Sequence, residues 1–421
     1  MRRMLTRGAL VGTLCLASLS FASAQDDVLT LPEALAAARA AHPALAAARA
    51  RVDSREASAR ADGAWADPMV GLMVKRDTNE VVSASMVELE ISQALPLSGN
   101  LARREAVSTA EAAASAAAVN VTELLLLSET RRVYVDLAAL HARLVVLDRT
   151  DRLLGEIVAD LESKYAAGSR PQSDVLTAEL ERLTLQEQIS TLRGNVAAGT
   201  ARLNALMNRP AGTPLPPLVP LDYDFDQTEL TAYIAAASAQ HPSLLMAAAE
   251  IETAAARAEL AAHAGRPDPV VQLRLNHRDG SGRAIDSFDT GIAVSVPWIQ
   301  RDRYRDLASA ARSARLAAEQ DEATTRQDLL GRVSARWHQL AAFRDCCLLY
   351  RDQALPLAHS AVDAAQRDFA GGRIGLADLL NATRNLHRVE DDLVRFLREY
   401  HLGFADLLES SGLVAPLPAS S

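Results

Sequence analysis

The chain is 421 residues long, with a formal net charge of −9, hydrophobic residues at 49% and aromatics at 4%. The acidic balance argues against nucleic acid, which a basic face would attract. Few aromatics and abundant alanine suit close-packed long helices better than a globular enzyme core.

In chain order, Met1 to Arg7 is basic, Ala9 to Phe21 is apolar, and Ala22-Ser-Ala24 offers a small-residue cleavage site. The pattern predicts a secretory signal peptide over 1–24 and a mature start at Gln25. Leu14 precedes Cys15 where a lipoprotein signal needs a small residue, so no lipid anchor is expected. Elsewhere no run of about 18 uncharged apolar residues marks a helical membrane span. The mature chain keeps only Cys346 and Cys347, adjacent to each other. They are read as small residues of a helix interface, since two cysteines make no disulfide framework.

After the signal peptide the same order of elements is written twice, in repeats over 25–208 and 229–411. His42-Pro43 recurs as His241-Pro242, Asp67-Pro68 as Asp268-Pro269, and Leu95-Pro96 as Val296-Pro297. Tyr134 recurs as Trp337, and Tyr165-Ala-Ala-Gly168 as Phe369-Ala-Gly-Gly372. Each copy opens with a short helix, 31–41 in the first, followed by a helix that Pro43 or Pro242 starts. Alternating hairpins are expected over 68–95 and 269–297, turning in the second copy at Arg278-Asp-Gly-Ser-Gly-Arg283. Val87, Leu89 and Ile91 face one way, and Glu88, Glu90 and Ser92 the other. Val271, Leu273 and Leu275 alternate likewise with Gln272, Arg274 and Asn276, and Ile292, Val294 and Val296 with Ala293 and Ser295. Four such strands fit the dyad pattern of outer-membrane barrel strands, although a soluble hairpin alternates in the same way.

Unbroken helices follow over 98–166 and 300–370. In the first, Leu137, Leu140, Leu144, Leu147, Leu154, Val158, Leu161 and Tyr165 form a coiled-coil seam interrupted by Asp151. At 1.5 Å per residue each helix would be roughly 100 Å long. Returning helices over 172–207 and 377–408 cover half of each long neighbour, and the helix before each hairpin covers most of the rest. The proline-rich link 209–228 joins the copies at the level where the short helices meet, and is read as an ordered belt; 412–421 is a tail.

Four amphipathic strands cannot close a barrel, and open edges are not tolerated in lipid. The chain must therefore oligomerise, two chains giving eight strands and three giving twelve. The predicted fold is thus mainly α with a small β part, its polar strand faces continuing into a helical tube.

The duplicated layout, the segment Ile91-Ser-Gln-Ala-Leu-Pro-Leu-Ser-Gly-Asn100 and the two reversals together resemble the TolC-type outer-membrane efflux proteins. The reversals are Tyr165-Ala-Ala-Gly-Ser-Arg-Pro-Gln-Ser-Asp-Val-Leu176 and Phe369-Ala-Gly-Gly-Arg-Ile-Gly-Leu-Ala-Asp-Leu-Leu380. The Leu-Pro-Leu-Ser-Gly stretch looks most like the heavy-metal and cation branch, whose pattern has Lys after the glycine where this chain has Asn100.

The resemblance implies a homotrimer with a 12-stranded barrel and an α-barrel tunnel, in the outer membrane and extending into the periplasm. It implies a periplasmic adaptor and an inner-membrane pump as partners, commonly of the resistance-nodulation-division type. It implies no catalysis, cofactor or metal in the chain itself. A type I protein secretion system and an exported coiled-coil scaffold outside the membrane remain the alternatives. On the family pattern Asp174 and Asp378 fall on a periplasmic gate, with Asn381 one turn on where some relatives carry a second aspartate. Both aspartates are also placed to cap helices. Ser169, Arg170, Pro171, Arg373, Ile374, Gly375 and Leu376 match the tip loops that meet the adaptor. Glu88, Glu90, Gln272, Arg274 and Asn276 are read as lumen-facing. His387 and Glu390 stand three apart on a helix but lack a third ligand, so a solvated face is favoured over a metal site.

Overall fold

The structure is a computed structural model that describes residues 28–76, 85–278 and 282–417. The expected signal peptide over 1–24 and the centre of the second hairpin turn lie outside the described residues. The elements run α1 (Leu31–Ala41), α2 (Pro43–Asp62), β1 (Met69–Arg76), β2 (Ser85–Ala94), α3 (Asn100–Ala166) and α4 (Gln172–Leu206). The same order then recurs as α5 (Leu230–Gln240), α6 (Pro242–His263), β3 (Val270–Arg278), β4 (Ser287–Ala293), α7 (Arg301–Leu349), α8 (Leu355–Ala370) and α9 (Leu376–Ser410).

Local chemistry explains the boundaries. At the start of α1, Glu33 N–H donates to Thr30 Oγ1 at 3.4 Å and Thr30 N–H to the Glu33 carboxylate at 2.9 Å, a capping box. The two His-Pro pairs do one job twice. His42 Nδ1 accepts from Ala44 N–H at 3.2 Å and His241 Nδ1 from Ser243 N–H at 3.1 Å, while each proline fills the first helical position. His241 is buried, and that burial lowers its pKa. The neutral ring caps α6 through Nδ1, and its Nε2 lies 3.2 Å from Glu409 O.

Both reversals use one left-handed glycine. Gly168 and Gly372 have φ of 73° and 70°; Ser169 N–H closes onto Lys164 O at 2.9 Å and Arg373 N–H onto Asp368 O at 2.8 Å.

Two expectations are corrected. The second long helix is not one α-helical run, because a π-helical turn over Tyr350–Ala354 separates α7 from α8. Pro356 sits just beyond it and has no N–H to give the carbonyl four residues back, so the ladder widens there instead of breaking. β4 ends at Ala293, leaving Val294 and Val296 outside the sheet. Its partner β3 starts at Val270, opposite Ala293, and Pro269 before it has no N–H to lengthen the ladder. No 18-residue run of α3 is uncharged, although one window of that length is apolar enough by composition alone for a membrane span. Here α2, α4, α6 and α9 pack along that helix.

α2 and α4 lie along α3, as α6 and α9 lie along α7 and α8, and α3 also touches α6 and α9. The link between the two halves is pinned rather than loose. Leu29 N–H donates to Pro217 O at 2.9 Å, and Asn204 Nδ2 to Thr213 O at 2.7 Å. Tyr134 on α3 donates from Oη to Leu29 O at 2.8 Å and accepts from Val219 N–H at 3.2 Å. Trp337 on α7 donates from Nε1 to Thr228 O at 3.1 Å. The two aromatics matched in the sequence thus each hold an extended segment against a long helix.

Candidate channel sheet and hairpin tips

The four strands form one antiparallel sheet in the order β1-β2-β3-β4. Its register places Glu88 opposite Asn276, Glu90 opposite Arg274, and Ser92 opposite Gln272. Residues directly opposite share a face, so Glu88, Glu90, Gln272, Arg274 and Asn276 lie together on one side. Lys75, opposite Met86, and Asp289, opposite Arg274, join them on that face. Lys75 Nζ lies 2.5 Å from Glu88 Oε2, and Asn276 Nδ2 donates to Asp289 Oδ2 at 2.9 Å. Arg274 Nε stands 3.5 Å from Glu88 and 3.4 Å from Glu90, bridging the two carboxylates.

The opposite face is apolar and open. Val70, Leu72, Val74, Phe288 and Ile292 are 64–74% exposed, although such residues are normally buried. β1 and β4 are the outer strands, each with one side carrying no partner strand among the described residues. An apolar face with two open edges fits no soluble environment well.

At the other end of α3, the two reversals pack together. The Arg170 guanidinium lies 4.5 Å from the Phe369 ring centroid and Lys164 Nζ 5.0 Å from it. Phe369 and Leu376 belong to a core cluster with Leu154, Leu161, Val175 and Leu379, against which Ile374 packs. Tyr165, placed in the α3 seam by its spacing, is instead exposed. Ser169 Oγ donates to Lys164 O at 2.9 Å, Pro171 precedes α4, and Arg373 Nε donates to Asp368 at 2.8 Å.

Neither Asp174 nor Asp378 stands at a helix N-cap, which corrects that part of the expectation. The N-cap residues are Pro171 and Gly375, neither of which has a side-chain acceptor, and Asp174 and Asp378 are third in their helices. Asp174 lies 3.8 Å from Arg170. Asp378 Oδ2 accepts from Gly375 N–H at 3.2 Å, the reach-back half of a capping box. Asp378 and Asn381 share an exposed face of α9, where Asn381 Oδ1 accepts from Arg384 Nη1 at 3.3 Å.

Beyond them lie ion pairs that the sequence did not single out. Arg384 forks onto Glu181 of α4, and Arg182 forks onto Asp151 of α3 at 3.0 and 3.3 Å. Hydrogen bonds from these guanidiniums hold the Glu181 and Asp151 pKa values below the ordinary carboxylate range. Glu390 accepts from Arg149 Nη1 at 2.8 Å and His387 Nδ1 lies 3.5 Å from Thr150 Oγ1, so both face the α3 side. Cys347 is fully buried, its thiol pushed up to about 11 by burial.

The sequence profile described as outer membrane efflux protein matches residues 34–209 and 233–413, most of the chain. The chain belongs to the outer membrane efflux protein family. It is an outer-membrane protein that extends into the periplasm. Outer membrane protein TolC of Vibrio cholerae serotype O1 is 26% identical over 140 residues, 33% of this chain and 32% of that protein. This efflux-family chain therefore aligns with about a third of that relative's length. The solved outer membrane protein VceC of Vibrio cholerae has a TM-score of 0.74 at 18% identity, over 91% of this chain and 96% of that one. The Campylobacter jejuni CmeC outer membrane channel has a TM-score of 0.73 at 15% identity, over 98% and 94%. At such identities these structures establish a shared fold: long helices with a small four-stranded sheet.

Proposed function

We propose that the chain is the outer-membrane exit duct of a tripartite efflux system, passively conducting metal cations or small toxic molecules. The observation that carries this reading is the sheet: four strands, two open edges and one largely apolar face. Three copies joined β4 to β1 would remove every edge and turn the apolar face to lipid, giving a 12-stranded barrel. The polar face, with Glu88, Glu90, Gln272, Arg274 and Asn276, would then line the lumen. The helices would continue the lumen into the periplasm.

In this reading the pump supplies the energy and the chain performs no chemistry. Asp174, Asp378 and Asn381 act at the periplasmic constriction. Ser169, Arg170, Pro171, Arg373, Ile374, Gly375 and Leu376 meet the adaptor, and the pump is of the resistance-nodulation-division type. Leu176, Leu180 and Leu183 form an exposed stripe on α4, and Leu357 is exposed on α8. Packing against neighbouring subunits would cover such residues. A protein-secretion duct has the same walls. A scaffold outside the membrane is disfavoured, because it has no use for the open apolar face.

Purified protein in detergent should run as a heat-labile trimer and give discrete conductance steps in planar bilayers. Solubility without detergent together with absence of pores sinks the channel reading. Deleting the gene and measuring sensitivity to metals, drugs and dyes assigns the cargo.

A further inference from the structure

Halfway along α3, roughly 50 Å from either end at 1.5 Å per residue, a cavity of about 550 Å³ opens between α1, α3, α9, the belt and the C-terminal residues Val414 to Pro416. Its walls are largely apolar, with Leu35, Leu127, Val135, Tyr400, Phe404 and Pro416 among them. The volume falls within the range of small-molecule sites.

One charge inside it lacks a counter-ion. Arg131 is 8% exposed, and its guanidinium donates from Nη2 to Val414 O at 2.6 Å. Among the described residues no carboxylate stands within ion-pair distance of its guanidinium. The neighbouring arginines differ: Arg132 reaches Asp406 at 2.7 Å and Arg39 reaches Glu123 at 2.6 Å. Burial lowers the Arg131 pKa, with no charged group offsetting it. A buried cation is costly unless an anion or a full set of acceptors compensates it.

The cavity mouth adds a constraint on the ligand. Asp222 and Asp224 line it, Asp222 with a side chain 69% exposed, and His401 Nε2 lies 3.0 Å from Asp222 O. Burial lowers the His401 pKa and favours the neutral ring. Two carboxylates at the rim disfavour a multiply anionic ligand, whereas a single buried guanidinium matches one carboxylate.

We propose that this cavity binds an amphipathic organic monocarboxylate, its head on the Arg131 guanidinium and its hydrocarbon or aryl body against the apolar walls. The site lies far from both the sheet and the hairpin tips, and it stands independently of whether the protein conducts.

The test uses the full-length protein held in amphipol, because detergent would compete for an apolar cavity, and 2-naphthoate as the probe in equilibrium dialysis. Saturable binding is expected, with neutral 2-naphthylmethanol at least about tenfold weaker, since a charge-assisted hydrogen bond contributes about that factor. Arg131→Gln should weaken 2-naphthoate binding at least about tenfold. Ala36→Trp, which fills the cavity from exposed α1 and keeps Arg131, should abolish binding while leaving helical circular dichroism intact. Three outcomes overturn the proposal: no saturable binding, equal affinity for acid and alcohol, or unchanged affinity in both variants. A fourth is binding that appears only after residues 418–421 are removed, which would give the cavity to the chain's own C-terminal carboxylate.

Discussion

Arg384 of α9 and Glu181 of α4 face each other as a fork, with Nε donating to Oε1 at 2.7 Å and Nη2 to Oε2 at 2.6 Å. The pair ties the two returning helices together one turn beyond Asn381. The fork lowers the Glu181 pKa, so its contribution is present above the ordinary value of about 4.3 and is lost as pH falls through the folded value. Conductance of the reconstituted protein should therefore rise as pH falls below about 4.3. Glu181→Gln should conduct more at neutral pH and respond less to acid. A variant with wild-type conductance and the same acid response would show that the fork does not restrain the tip.

Asp378 combines a bond to Gly375 N–H with a negative charge on an exposed helix face. Asp378→Ala should raise single-channel conductance and weaken the start of α9 by about 1 kcal/mol, the usual worth of a terminal cap. Asp378→Asn keeps an acceptor for Gly375 N–H and removes the charge, and should raise conductance as well. If Ala raises it and Asn does not, the residue acts through the cap alone.

On the sheet, Leu72 and Met73 are sequence neighbours on opposite faces, with Leu72 71% exposed. Leu72→Arg should lower the yield of folded protein in outer-membrane fractions, at a cost of about 2–4 kcal/mol near the bilayer midplane. Met73→Arg, on the polar face with Glu88, should be tolerated. Equal yields from the two variants would place the sheet outside the bilayer.

Leu180 is 65% exposed between Leu176 and Leu183 on α4. Leu180→Asp should shift detergent-solubilised protein from trimer toward monomer in analytical ultracentrifugation, because a charge on a covered apolar stripe is left without a partner. An undisturbed trimer would leave that stripe outside the subunit interface.

At the belt, Tyr400 Oη accepts from Asp226 N–H at 2.7 Å, and Tyr233 Oη donates to Asp226 Oδ2 at 2.9 Å. Burial pushes the Tyr400 pKa from 10.0 up to about 12, and that of Tyr233 in the same direction. An unfolded chain loses these protons first, so stability is full below pH 10 and should fall between about pH 10 and 12. Thermal unfolding followed by circular dichroism should register the loss, and Tyr400→Phe should flatten it. The same alkaline slope in the variant would exclude Tyr400 as its source.

Much of this arrangement could be read before any coordinates. The alternation from Val87 to Ile91 marks the amphipathic face of β2, and the His-Pro pairs mark the starts of α2 and α6. Gly168 marks a reversal. These signals are local: strand period, missing proline N–H and glycine backbone freedom act within a few residues. Pro356 carries no such local signal, because a proline ends or kinks a helix according to what packs around it, and here a π-helical turn absorbs it. Local signals also put Asp174 and Asp378 at N-caps, where a shift of a few residues changes which backbone N–H a carboxylate can reach.

The sequence by itself determined the period and the order of the elements, because hydrophobic spacing and turn chemistry act along the chain. Only the tertiary structure decided which charges meet. Glu181 finds Arg384 across 203 residues, and Arg132 finds Asp406 across 274. Arg131, next in the chain to Arg132, is turned into a cavity where no carboxylate among the described residues reaches its guanidinium. Two neighbours on a helix point about 100° apart, so the rotation of α3 against its neighbours gives one arginine a carboxylate and the other a backbone carbonyl.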